Sequence, residues 1–190
     1  MCSSDLFGEV DATEIDPAAR DIASARLGKP VGDAPLPALP GVPRGAYDLI
    51  AVLDVVEHIE DDVAALAAMK QCLAPGGKIL IAVPAHQWMW SAHDVVNHHH
   101  RRYSKGSLVK AIRAAGLKER KLGYFNSLLF PLAAAARIAG RLTGRDDSDD
   151  SPPAGPVNAL FERIFRVERH LVGRMPMPIG VSILTLAEPI

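Results

Sequence analysis

Two short apolar runs on either side of one helix most constrain the fold of this chain. Residues 47–53 read YDLIAVL, a nearly continuous apolar run that is typical of a strand buried on both faces of a parallel sheet. A helix pattern begins at Asp61-Asp62, and Pro75-Gly76-Gly77 ends it before a second apolar run at residues 78–83. The expected connection is a right-handed strand-helix-strand unit.

The same alternation of strand and helix patterns continues in both directions along the chain. With 190 residues, 48% of them apolar, the chain is long enough for one domain with its own core and too short for two, so residues 1–190 are assigned to a single domain. The further predicted strands cover residues 9–15, 117–124 and 180–187, and the further helices cover residues 18–27, 105–115, 128–142 and 157–172.

Three segments are expected to stand apart from this pattern. Residues 1–7 begin with MCSSDL, which resembles the translation of a sequencing adapter and predicts a non-native start. Residues 143–156 are acidic and contain prolines, so a mobile linker is expected there. This linker lies within residues 128–172, which are predicted to form a helical insertion.

Charge and cysteine content narrow the class of partner. The net charge is −1 with both signs interspersed, so no nucleic-acid partner is indicated, and a small-molecule or lipid-like substrate fits better.

The two cysteines lie far apart in the sequence and imply no disulfide framework, so a cytoplasmic location is expected. No apolar run approaches 20 residues, although arginines beside the apolar insertion helices suggest contact with a membrane surface.

Two phrases in the middle of the chain carry a family resemblance. Residues 48–59 read DLIAVLDVVEHI, and after one helix residues 73–77 read LAPGG. In this order and spacing they resemble the class I S-adenosylmethionine-dependent methyltransferases. The resemblance implies a Rossmann-like, open and mostly parallel α/β sheet with an antiparallel last strand, and S-adenosylmethionine as cofactor.

The same resemblance assigns the cofactor contacts. Glu14, at the expected end of the second strand of the family, would accept hydrogen bonds from the ribose hydroxyls. Asp33 and Ala34, in a Gly-Asp-Ala phrase, would meet the adenine edge, although a simple turn also explains that phrase. The cofactor is also expected to lie beside the residues that follow the strand at 47–53, namely Asp54, Val55 and Val56.

A histidine-rich segment carries the candidate acceptor site. Residues 88–103 contain WMWSAHD and HHHRRY, which resemble a methyltransferase subgroup whose corresponding loop faces the substrate. His93 and His58 are the candidate catalytic bases, with His93 preferred, because imidazoles generally titrate near neutral pH. The alternatives are that His58 is a surface imidazole and that Glu57 is a helix-capping carboxylate. The candidate substrate-binding residues are Trp90, Asp94, His99, Arg102 and Tyr103. The two insertion helices are expected to cap this acceptor site or to rest on a membrane surface, and an ordinary pair of core-covering helices is the alternative.

No metal is predicted, because adjacent histidines point in different directions and no cysteine or spaced histidine pair completes a standard ligand set. The alternative functions are a non-catalytic α/β binding module and a nicotinamide-dependent oxidoreductase, which also places an acid after its second strand.

One family feature is missing from the sequence. Class I methyltransferases resemble one another most in a first strand that ends in a glycine-rich loop, and no GxGxG precedes Glu14. An N-terminal truncation is therefore expected, with that strand and loop absent. The 190-residue chain alone is expected to bind S-adenosylmethionine poorly and to be unstable, because two apolar strand edges would lack their common neighbour.

Overall fold

The computed structural model describes residues 8–143, 155–172, 174 and 177–190. The predicted non-native start at residues 1–7 lies outside the described residues, as does most of the predicted linker at residues 143–156.

Helices form where the capping signals predict them. The Asp16 carboxylate accepts the Ala19 amide at 2.7 Å at the start of the first helix, and Gly28 ends that helix with φ 69°. The Asp61 carboxylate accepts the Ala64 amide at 2.8 Å at the start of the second helix. The described residues contain six α-helices, namely α1 (Pro17–Leu27), α2 (Asp62–Cys72), α3 (Ala92–Val96), α4 (Lys105–Ala114), α5 (Phe130–Thr143) and α6 (Gly155–Glu168).

Four strands form one open sheet within the described part of the chain. They are β1 (Tyr47–Leu53), β2 (Leu73–Pro84), β3 (Leu117–Phe125) and β4 (Ser182–Pro189), in the spatial order β1-β2-β4-β3. β1 and β2 are parallel, and β4 is antiparallel to both β2 and β3. Three strands therefore run in one direction and the last strand runs against them, which confirms the predicted Rossmann-like α/β class.

The predicted strand at residues 9–15 is wrong. This segment makes only an isolated parallel bridge between Thr13 and Gly32. Two backbone hydrogen bonds of 2.9 Å hold the bridge, from the Glu14 amide to the Gly32 carbonyl and from the Gly32 amide to the Ala12 carbonyl. Prolines at 30 and 35 flank the partner segment, and since proline has no amide hydrogen the ladder cannot extend there.

The prediction that β1 is buried on both faces is also wrong. Val52 is 5% exposed, whereas Leu49 and Leu53 are 55% and 52% exposed. The reason is that β1 lies at the edge of the described sheet with β2 as its one strand neighbour, while α1 buries none of its residues.

The core lies between the sheet and helices α2 and α4. Leu66, Ile79, Ile81, Leu108 and Ile112 are all completely buried in it. Gly77 has the predicted structural role in the turn into β2, because a Cβ atom there would lie 2.6 Å from the Tyr47 carbonyl oxygen.

Helices α5 and α6 form the insertion between β3 and β4. Its two ends meet at Glu168, which is fully buried and accepts the amides of Ser127 and Leu128 at 2.8 and 3.3 Å. In α5 no residue is buried, and in α6 only Glu168 is. Neither is an ordinary core-covering helix. Within the described ranges, no helix is both long and apolar enough to cross a bilayer.

Candidate active site

The carboxyl ends of β1 and β2 bring together the segments that the sequence singles out. After β1 the chain turns at Asp54, where φ is 51° and the amide donates to the Ala82 carbonyl at 3.0 Å, and enters a short 3-10 helix, Val56–His58. After β2 it forms a second 3-10 helix, Gln87–Met89, and then α3. Ligands of open α/β sheets bind at this edge, so both segments face the expected site.

Main-chain hydrogen bonds fix the histidine-rich loop after α3 against the sheet. The His100 amide donates to the Glu57 carbonyl at 2.8 Å, and the Tyr103 amide donates to the Pro84 carbonyl at 2.8 Å. The Tyr103 side chain is 2% exposed and its hydroxyl donates to Asp62 at 2.7 Å. Burial and this hydrogen bond raise the pKa of Tyr103, so its phenol stays protonated. Tyr103 anchors the loop, and direct contact with an acceptor stays a prediction.

Asp94 is the buried centre of a polar network. Its carboxylate is fully buried and accepts hydrogen bonds from Nε of Arg102 at 2.7 Å and from the Ser91 amide at 2.9 Å. It also forms a hydrogen bond of 2.9 Å with Nδ1 of His99. Burial alone would raise the pKa of Asp94, but hydrogen bonds from Arg102 and His99 and the Arg102 charge together lower it. Arg102 is 8% exposed, and it also donates to the Ala85 carbonyl at 3.3 Å.

Three imidazoles form a row beside this network. The rings of His58 and His99 meet edge to face with centroids 4.5 Å apart, and the His99 and His93 centroids are 6.3 Å apart. Burial and the nearby His99 ring lower the pKa of His58. Nδ2 of Asn97 lies 3.3 Å from Nδ1 of His93 and donates to the His93 carbonyl at 2.9 Å. Both predicted bases therefore have the His99 ring as a neighbour.

Glu57 is a functional candidate that the sequence interpretation missed. It does not cap a helix, as the alternative interpretation supposed: its side chain is fully buried, and neither carboxylate oxygen has a hydrogen-bond partner of normal geometry among the described residues. Burial raises the pKa of Glu57 to about 7, against the lowering effects of its own backbone amide and of Arg102. The one sequence signal is its place in the VVEHI phrase.

Glu57, His58 and His99 lie close enough together to share a ligand. Each offers one atom, and these atoms all lie within 4.8 Å of one another. The spacing of the histidines along the chain predicted no metal, but this group joins positions that are distant in the sequence.

The segment predicted to lie beside the cofactor is partly accessible. Val55 is 39% exposed and the side chain of Asp54 is exposed, whereas Val56 is completely buried and packs in the core. Burial raises the pKa of Asp54, and the His99 and His58 rings lower it. Asp54 is therefore close to the imidazole row.

Glu14, Asp33 and Ala34 follow the short bridge between residues 13 and 32, so the two carboxylates lie at the same end of adjacent segments. Asp33 is exposed and forms an ion pair of 3.3 Å with Arg20, which also donates to the Glu14 carbonyl at 2.9 Å. One oxygen of the Glu14 side chain accepts the Asp16 amide at 2.9 Å. Accessible carboxylates so placed fit the hydroxyl and amino donors of an adenosine group. These assignments stay predictions.

An aromatic cluster lies between the β2 end and the insertion. The His86 ring stacks on Tyr124 with centroids 5.3 Å apart and contacts Phe130 at 5.4 Å and Trp88 at 5.9 Å. Trp90 is half-buried, and its carbonyl accepts Nη2 of Arg141 in α5 at 3.1 Å. His86 and Trp88 of this cluster precede His93 in the sequence by seven and five residues. A role for Trp90 in substrate binding stays a prediction.

Comparison with known proteins supports one family. A family model described as a methyltransferase domain matches residues 5–122. A search of curated proteins finds no match.

Several solved structures share the fold. A Bacillus halodurans protein described as a methyltransferase has a TM-score of 0.63 at 14% identity, over 99% of this chain and 86% of its own. A SAM-dependent methyltransferase from Archaeoglobus fulgidus has a TM-score of 0.56 at 14% identity, over 97% and 78%. Geranyl diphosphate C-methyltransferase from Streptomyces coelicolor has a TM-score of 0.58 at 12% identity, over 100% and 66%.

The family match covers more than half of the chain, and the fold and the order of its motifs agree with it. The chain therefore belongs to the methyltransferase domain family, and its fold is shared with S-adenosylmethionine-dependent methyltransferases.

Proposed function

We propose that the protein transfers the methyl group of S-adenosylmethionine to a small-molecule or lipid-like acceptor that binds beside His93, His99 and His58. The observation that carries this proposal is the row of three imidazoles beside Asp54, at the edge of the sheet where ligands of this fold bind. When bound, S-adenosylmethionine supplies a methyl group that its sulfonium centre already activates. The protein then has mainly to bind, orient and exclude water.

In this proposal Glu14 holds the ribose hydroxyls, while Asp33 and Ala34 meet the adenine edge. The exposed Asp54 and Val55 border the methyl-donor side. His93, in α3, accepts the proton that a hydroxyl acceptor loses. The network centred on Asp94 joins α3 to the loop that carries His99.

The acceptor class is inferred from the aromatic cluster around His86. Rings of Trp88, Tyr124 and Phe130 offer apolar contact area, and the net charge of −1 gives no general attraction for nucleic acid. A protein with this fold, from Streptomyces coelicolor, has been solved with geranyl diphosphate, which has an isoprenoid chain. A small molecule with an apolar part is therefore the acceptor that we propose.

Titration calorimetry with S-adenosylhomocysteine and with NAD tests the cofactor assignment. We expect binding of the former only, and Glu14→Ala should weaken it about 10-fold or more because a charge-assisted hydrogen-bond acceptor is lost. Glu9→Ala, an exposed acid on the same segment, is the matched control and should bind normally. The titration should be made with the 190-residue chain, for which weak binding is expected, and with any longer product of the same gene. Preferential NAD binding would favour the oxidoreductase, and binding of neither would favour the non-catalytic module.

We also propose that the insertion contacts a membrane surface. The other proposed role of its two helices is to cap the acceptor site. Apolar side chains on both helices are exposed, with Ile138 at 51%, Leu142 at 82%, Leu160 at 55% and Val167 at 57%. Basic residues accompany them and would meet anionic head groups. These are Arg137, Arg141, Arg163, Arg166 and Arg169.

Vesicle co-sedimentation tests this membrane contact. Binding to phosphatidylserine-containing vesicles should exceed binding to phosphatidylcholine vesicles, and Arg166→Glu should reduce it at least about fivefold, since one basic residue near the surface contributes about 1 kcal/mol. Lys110→Glu changes an exposed cation of α4 by the same charge and should have little effect. Equal binding to the two vesicle types would leave the cap as the role of these helices.

A further inference from the structure

The buried Glu57 carboxylate lacks a partner in a place where two imidazoles converge. It is completely buried, and neither of its oxygens has a hydrogen-bond partner among the residues that the structure describes. Such a group is costly unless something satisfies it, and buried carboxylates are usually paired or bound to a cation. Ring nitrogens of His58 and His99, which come within 4.8 Å of it and of each other, are the other ligand atoms on offer.

The His99 imidazole is fixed on one side, as metal-binding histidines usually are. Nδ1 of His99 contacts Asp94 at 2.9 Å, and the Asp94 carboxylate is itself bound by Arg102 at 2.7 Å. A carboxylate on the far nitrogen sets the tautomer and orientation of a histidine ligand. This contact leaves Nε2 of His99 for a ligand, and the His58 ring meets the His99 ring edge to face with centroids 4.5 Å apart.

We propose that Glu57, His58 and His99 bind a divalent transition-metal ion of the zinc type. Two imidazoles and one carboxylate are a ligand set for zinc, manganese or iron rather than for magnesium or calcium, which prefer oxygen ligands. Zinc binds nitrogen and oxygen at about 2.0–2.2 Å, so two ligand atoms of one ion are at most about 4.4 Å apart. Small side-chain rotations bring the three atoms from their separations of up to 4.8 Å into this range.

Three protein ligands leave at least one position of the ion open. The ion would then be able to hold an acceptor oxygen beside Asp54. This placement of the acceptor rests on the proposed function, whereas the metal site itself does not.

Metal titration of the full chain, stripped with EDTA, tests the site with Zn²⁺ by calorimetry and Co²⁺ by absorbance. We expect one equivalent to bind, with a Co²⁺ visible spectrum that indicates nitrogen ligands. His99→Ala and Glu57→Gln should each weaken binding at least 10-fold. His100→Ala is the matched control, because it removes an exposed imidazole next to the site and should leave the affinity unchanged.

Glu57→Gln also shows whether Glu57 is a metal ligand or is needed only for folding. It keeps the shape of the side chain and replaces a carboxyl group that can carry a buried charge with a neutral amide, so the melting temperature of the metal-free protein should change little while metal binding is lost. If this variant does not fold, His99→Ala decides the question with the same titration.

The proposal is overturned if the wild-type chain binds no stoichiometric Zn²⁺ or Co²⁺. It is also overturned if His100→Ala loses as much affinity as His99→Ala, or if a folded Glu57→Gln binds like the wild type. Titration with S-adenosylhomocysteine on the same samples separates this result from the proposed function, since metal binding without cofactor binding would retain the site and reject the methyl transfer.

Discussion

Asp94→Ala is expected to destabilise the protein by about 3–5 kcal/mol, the cost of breaking a buried ion pair by removing one partner. The substitution leaves the Arg102 guanidinium, which is 8% exposed, without its carboxylate, and it also removes the acceptor of the Ser91 amide. Urea denaturation followed by circular dichroism in EDTA measures the loss. In EDTA, any contribution from a bound metal is excluded.

A second substitution distinguishes an unpaired charge from a general loss of packing. Asp94→Ala combined with Arg102→Met removes both charges and keeps an apolar side chain of similar length, so the double variant should be more stable than Asp94→Ala alone. Glu119→Ala, which breaks an ion pair on the surface with Arg113, should change stability little. A double variant no better than the single one would show that the buried charge is not the cause.

His93→Ala is expected to lower turnover about 100- to 10,000-fold, the usual contribution of general acid-base catalysis. The measurement is release of S-adenosylhomocysteine at saturating S-adenosylmethionine, with the hydroxyl compound that gives the fastest wild-type turnover. Cofactor affinity should be unchanged, because in the proposed arrangement His93 of α3 contacts the acceptor, whereas Glu14 and Asp33 hold the cofactor.

His58→Ala under the same conditions is the direct comparison. A smaller loss for His58→Ala than for His93→Ala is expected, and His100→Ala should have little effect because that side chain is exposed. Unchanged turnover of His93→Ala would reject its role as base.

Local signals in the sequence predicted helices α1, α2 and α4 because each signal acts within a few residues, whereas the short helix α3 was not predicted. Asp16 and Asp61 bind amides three residues further along, and Ser104 accepts the Ser107 amide at 3.0 Å in the same way. The burial of β1 was beyond such reasoning. An apolar run shows that a strand can be covered on both faces, and only the positions of other elements decide whether it is.

The composition of the site was predictable and its geometry was not. The phrases around residues 57 and 93–103 pointed to these residues through family resemblance, but the meeting of Glu57 with His99 depends on the pairing of β1 with β2. Asp94 is a similar case. In the sequence it is a polar residue at a helix start, and its complete burial follows from the fold of the loop that brings Arg102 and His99 to it.

The Glu168 carboxylate makes the insertion a separable part of the enzyme. It binds the amides of Ser127 and Leu128 across 40 or more residues of sequence, so the entry and exit of the insertion meet at one point beside the sheet. Closing a flexible loop costs only about 0.6 kcal/mol more for each doubling of its length. The segment between Leu128 and Glu168 can therefore be exchanged for a different one on the same base, without rebuilding the core between the sheet and helices α2 and α4.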